Sequence, residues 1–166
     1  MKEIYLLLKK RLEEIAELNE VSWYSGQDEQ TGDQSLLVDK AAYLEFSPIN
    51  WRMLGQQIQR ATIDFEVHLV QALVEDGDGL MQSDHLDLIN AIYKKLQGWE
   101  ASLPYLQAGL SDLKIINCID RLELHPQQQL SNIWRSSQRF QAEVIDYNAR
   151  KDYQEVSAQL NLIVDV

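Results

Sequence analysis

Asp64 and Glu66 stand two residues apart in a stretch whose neighbours alternate between apolar and polar. On a strand that spacing puts both carboxylates on one face, where one can donate a proton while the other acts as base. The same spacing equally describes a solvated surface, and no neighbouring motif marks a pocket. Asp76-Gly-Asp78-Gly79 has the flavour of a calcium loop. An EF-hand needs a ligand two residues after Asp78, where Leu80 stands, and a glutamate at the twelfth position, which here is Asp87. A turn carrying solvated acids is the expected reading.

His68, His85 and His125 are dispersed, with no His-Glu-x-x-His pair and no cysteine at ligand spacing. His68 falls on the polar side of its strand, so a surface histidine is expected. Cys118, the single cysteine, cannot close an intrachain disulfide and is expected to be buried as a small hydrophobe. There is no Gly-x-Ser-x-Gly elbow, no phosphate-binding glycine loop and no dinucleotide fingerprint. The expectation is a protein without catalytic residues, metal or cofactor.

The elements that carry these residues follow from periodicity. Residues 2–18 place Ile4, Leu7, Leu8, Leu12, Ile15 and Leu18 at helical spacing. Residues 21–25 are a short extended piece, followed by a polar loop over 26–35. A strand over 40–46 turns Ala42, Leu44 and Phe46 to one side, and Pro48 and Asn50 break it. Residues 51–59 are ambiguous between a loop and strand ends around Gly55.

The clearest alternation lies at 61–70. Ala61, Ile63, Phe65, Val67 and Leu69 face one way; Thr62, Asp64, Glu66 and His68 face the other. The strand is predicted over 59–73, ending in an acidic turn at 75–79. A helix over 83–96 follows, capped by Ser83 or Asp84, with Leu88, Ile89, Ile92 and Leu96 as its stripe and Gly98 as terminator. A strand over 119–125 turns Leu122 and Leu124 inward until Pro126 ends it. A longer strand over 133–147 alternates Phe140, Ala142 and Val144 against Arg139, Gln141 and Glu143. Residues 152–166 read as a final strand or arm. Half-apolar strands argue against a doubly wound parallel sheet. The expected fold class is α+β: two layers, a mostly antiparallel β-sheet with two main helices packed on one face. The division is one domain over 1–148 and an added arm over 149–166.

With 166 residues, 45% of them apolar, the chain can bury one core without staples. The first apolar run is too short for a secretion signal and no span is apolar enough for a membrane, so an intracellular protein with no membrane partner is expected. A net charge of -11 argues against affinity for nucleic acid. The charge is uneven. Asp64, Glu66, Glu75, Asp76, Asp78, Asp84 and Asp87 occupy 61–93 with no Lys or Arg among them, and Asp28, Glu29, Asp33 and Asp39 occupy 26–39 in the same way. Solubility explains such a distribution; an oriented acidic surface facing a basic partner or repelling a polyanion explains it too. Trp23, Tyr24, Trp51 and Trp134 are the candidates for an interface, because Trp and Tyr are enriched at interface centres.

This order of elements resembles the small tail-completion or tail-terminator proteins of long-tailed bacteriophages and prophages. The matching pieces are the helix from Ile4, the strand at 21–25 before a variable loop, the strands at 41–46 and 61–73, the helix at 84–96 and the long strand at 134–146. The resemblance implies a non-enzymatic homo-oligomer, usually a hexameric ring, at the end of the tail tube. Such a ring stops tube growth and meets the head connector, assembling in the bacterial cytoplasm before joining the virion. DNA would be a passing polyanion, and Asp28, Glu29, Asp33, Asp64, Glu66, Glu75, Asp76 and Asp78 are the candidate acidic surface or lumen. The runner-up is a small acidic binding or immunity-like module acting as monomer or dimer on a basic partner. An enzyme with a diffuse carboxylate site is the third reading.

Overall fold

The computed structural model describes residues 2–27, 39–55, 58–72, 80–100, 113–115, 117–130 and 133–146. The expected loop over most of 26–35, the turn at 75–79 and the arm at 149–166 lie outside these residues, as do Asp28, Glu29, Asp33, Glu75, Asp76 and Asp78. The order is α1 (Lys2–Leu12), β1 (Glu20–Trp23), β2 (Ala41–Phe46), β3 (Arg52–Gly55), β4 (Ile58–Ala72), α2 (Leu80–Leu96), β5 (Leu113–Ile115), β6 (Asp120–Leu130) and β7 (Ile133–Asp146). All strands join one sheet, with β1-β2-β4-β7-β5 in sequence across it. β3 pairs with β4, and β6 pairs with β7. Among the described strands only β1 and β2 run parallel. The fold is α+β, with a mostly antiparallel sheet and both helices on one face.

The backbone of the sheet is the β4–β7 ladder, running from Gln59↔Asp146 to Ala72↔Ile133. Its alternation creates two faces of opposite character. Ala61, Ile63, Phe65, Val67 and Leu69 of β4 join Phe140, Ala142 and Val144 of β7 beneath the helices. Ile4, Leu7, Leu8 and Leu12 of α1 and Leu88, Ile89, Ile92 and Leu96 of α2 close this core from above. Burial of that apolar surface drives the two layers together. A row of aromatic rings crosses the covered face. Tyr5 meets Trp23, Trp23 stacks on Phe46, Phe46 meets Phe65 and Phe65 stacks on Phe140, at centroid separations of 5.3–5.9 Å.

Several boundaries differ from the sequence expectation. α1 stops at Leu12, yet Ile15 stays buried. Tight turns donate from Ile15 N–H to Leu12 C=O and from Leu18 N–H to Ile15 C=O, so a three-residue spacing continues without an α-helix. α2 begins at Leu80, which puts Ser83 and Asp84 inside the helix rather than at its cap. Its far end is as expected. Gly98 has φ +69°, and its N–H donates to Ile119 C=O at 2.8 Å. The ambiguous 51–59 stretch contains β3, hairpinned onto β4.

Pro126 does not end β6. The strand runs on to Leu130 because, among the described residues, it pairs with β7 alone, leaving an outer edge where a missing N–H costs nothing. Leu122 and Leu124, expected inward, are exposed. The register shifts between Arg121 and Glu123, which leaves Leu122 as the extra residue of a bulge, while Leu124 stands opposite Gln138 on the apolar side and stays exposed because β6 lies at the sheet's edge. Cys118 is half-buried rather than buried. Among the described residues no helix is long and apolar enough to cross a membrane.

Candidate functional site

The helix-free face of the sheet gathers the charged side chains. Glu45 of β2 lies opposite Glu66 of β4, Glu66 opposite Arg139 of β7, and Arg139 opposite Glu123 of β6. The result is a cross-strand row of three carboxylates and one guanidinium. It lies one residue along from the Phe46–Phe65–Phe140 row, on the other side of the same strands.

Asp64 and Glu66 do project from this face together, as their spacing requires. Their surroundings differ. Arg139 donates to one Asp64 oxygen at 2.9 Å and Gln141 to the other at 2.8 Å. Arg139 also approaches Glu123 at 3.8 Å. Its pKa is raised above the ordinary arginine value, first by the hydrogen bond to Asp64 and then by that carboxylate's charge. Glu66 accepts a hydrogen bond from Ser137 Oγ. Along the same face Arg60 pairs with Glu143, which raises the pKa of Arg60, and Glu143 also accepts from Asn117 at 2.8 Å. The groove beside them, about 520 Å³, is lined by Asn50, Arg52, Leu54, Arg60, Thr62 and Glu143.

His68 is on the polar face as expected, but it is buried, with 4% exposure. The cause is β1: Tyr24, which follows it, lays its ring over the imidazole at 4.0 Å and 17°. His68 Nε2 lies 2.8 Å from Glu45 Oε2, while Nδ1 has no hydrogen-bond partner among the described residues. Beside it Ala41, Tyr43, Val70 and Ile133 form a small second apolar cluster. Glu45, Glu66 and His68 thus bring one oxygen, one oxygen and one nitrogen within 4.8 Å of one another.

Of the four aromatic interface candidates, Trp23 is exposed. Tyr24 is half-buried on His68, Trp51 packs half-buried against the main core, and Trp134 sits half-buried opposite Gln71. The strongly exposed apolar side chains of β3, Met53 and Leu54, escaped the sequence reading because 51–59 showed no clear period.

His85 also escaped it. It is fully buried in α2, with Nδ1 3.3 Å from Gln71 Oε1 and Nε2 3.0 Å from Ser136 Oγ. With Gln71 Oε1 as acceptor, Nδ1 carries the proton and Nε2 accepts from Ser136. Burial lowers its pKa to about 4. The signal was present: His85 precedes Leu88 and Ile89 by three and four residues, so it belongs to the buried stripe.

Comparison with protein-family models and with curated proteins returned no match for this chain.

Proposed function

We propose that this chain is a structural subunit of a phage or prophage tail. Copies of it form a ring at the end of the tail tube, terminate the tube and join it to the head connector. The observation that carries this reading is the one-sided sheet in its particular chain order. An N-terminal helix and an early strand precede the 28–38 segment, β4 leads toward a central helix, and long antiparallel strands complete the sheet. That is the order on which the resemblance to tail-completion proteins rests. The β3–β4 hairpin adds a contact surface suited to a neighbouring copy, because Met53 and Leu54 are 63% and 54% exposed. The Glu45–Glu66–Arg139–Glu123 row has more carboxylates than cations, and on a lumen wall it would repel passing DNA.

Multi-angle light scattering and negative-stain microscopy, with and without tail-tube subunits, test the reading. A closed ring that halts tube growth is expected. A strict monomer at high concentration that leaves tube growth unaltered would sink it. That outcome would favour the second reading, an acidic binding module whose carboxylate row engages a basic partner.

A further inference from the structure

We propose that Glu45, Glu66 and His68 form a binding site for a first-row divalent metal ion of the zinc class, on the helix-free face of the sheet. The donor set is one imidazole nitrogen and two carboxylate oxygens, all within 4.8 Å of one another. Bonds of about 2.0–2.2 Å to such donors are reached by rotating the two glutamate side chains. An imidazole joined to two carboxylates suits zinc better than magnesium or calcium, which favour all-oxygen shells.

Three independent features support the site. The first is backbone preorganisation. Glu66 and His68 are two residues apart on β4 and share a face, and Glu45 lies directly opposite Glu66 on β2. The second is charge. Carboxylates directly opposite each other on paired strands repel. Among the described residues Glu66 makes no close ion pair with a lysine or arginine; Arg139 stands opposite it and is attracted by its charge, but contacts Asp64 and Glu123, so Glu66 is only partly compensated. A cation between Glu45 and Glu66 removes that repulsion. The third is His68 itself. Its ring is buried and held under Tyr24, and among the described residues its only hydrogen bond reaches into the cluster, at Glu45. Among the described residues nothing outside the cluster competes for Nε2. Glu45 is the exposed donor, so the ion's outward positions remain open to water or to a side chain of another protein.

The test uses the full chain, stripped with chelator. Calorimetric titration with Zn²⁺ is expected to give one ion per chain, undisturbed by excess Mg²⁺. Titration with Co²⁺ is expected to give the intensified visible absorption of a low-coordinate nitrogen–oxygen site. Glu45→Gln and Glu66→Gln keep side-chain size and retain an amide oxygen that can accept the hydrogen bonds now made by His68 and Ser137. Each is expected to weaken Zn²⁺ binding by on the order of 100-fold, since even outer-shell changes cost 10–100-fold. Their metal-free melting should match that of the unaltered chain. His125→Ala, which removes the exposed histidine near Glu123, is expected to bind as the parent does. Binding that survives Glu45→Gln, that disappears in His125→Ala, or that Mg²⁺ displaces at equal concentration would overturn the assignment.

Discussion

Arg139 of β7 donates to Asp64 of β4 at 2.9 Å, across the face of the sheet that the helices leave open. The stretch from 61 to 93 contains no Lys or Arg, yet its first acid is not without a countercharge. The partner comes from 75 positions away. Each half of the pair is partly solvated, so water and salt screen it. Asp64→Asn and Arg139→Gln are therefore expected to lower the melting temperature only slightly, and less so in high salt. Thermal melts at two ionic strengths, closed as a double-mutant cycle, read this coupling. A large, salt-independent loss would mean that the pair is a structural keystone.

His85 makes the fold acid-sensitive. Its folded pKa is about 4, below the ordinary value of 6.5, because burial disfavours the charged ring. The unfolded chain therefore binds the extra proton first, and stability falls as pH drops from 6.5 toward 4. Above 6.5 the contribution is fully present; below 4 it is lost. The full shift corresponds to roughly 3 kcal/mol. Urea unfolding at pH 7 and pH 4.5 should show a clear loss in the parent. The loss should be smaller in His85→Gln, which retains a polar group for Gln71 and Ser136. Equal losses in both would assign the acid sensitivity to other groups.

Phe140 is fully buried and stacks on Phe65 at 5.5 Å, in the middle of the β4–β7 ladder. Phe140→Ala is expected to cost about 3–5 kcal/mol, the usual cost of leaving a ring-sized cavity. Denaturant unfolding should show a lower midpoint with an unchanged slope. A cost under about 1 kcal/mol would mean that the helices collapse into the gap.

Leu54 separates association from folding. It is exposed on β3, so Leu54→Glu should change the stability of the single chain by no more than about 0.5 kcal/mol. If the hairpin joins subunits, the variant should run as a smaller species in light scattering while melting like the parent at low concentration. An oligomer of unchanged mass would place the contact elsewhere.

Local patterns carried much of this far in advance. The apolar sides of β4 and β7, the stripe of α2 and the stop at Gly98 are legible because strand and helix geometry impose fixed periods on adjacent residues. Legibility failed where the period was interrupted. The bulge after Arg121 took Leu122 out of the alternation, and the edge position of β6 left Leu124 exposed and made Pro126 harmless. His85 was passed over as a polar residue although it sits in register with Leu88 and Ile89.

The sequence by itself determined that the chain would build one sheet with an apolar side and a charged side, covered by helices on the apolar side. Alternation within each strand is sufficient for that, since it depends only on neighbouring residues. The tertiary structure alone decided what the charged side became. Strand order set Glu45 against Glu66, Arg139 against Glu66 and within reach of Asp64, and Tyr24 over His68. Those neighbours are far apart along the chain. Pairing register, which no local period encodes, converted an acidic segment into a row of specific partners.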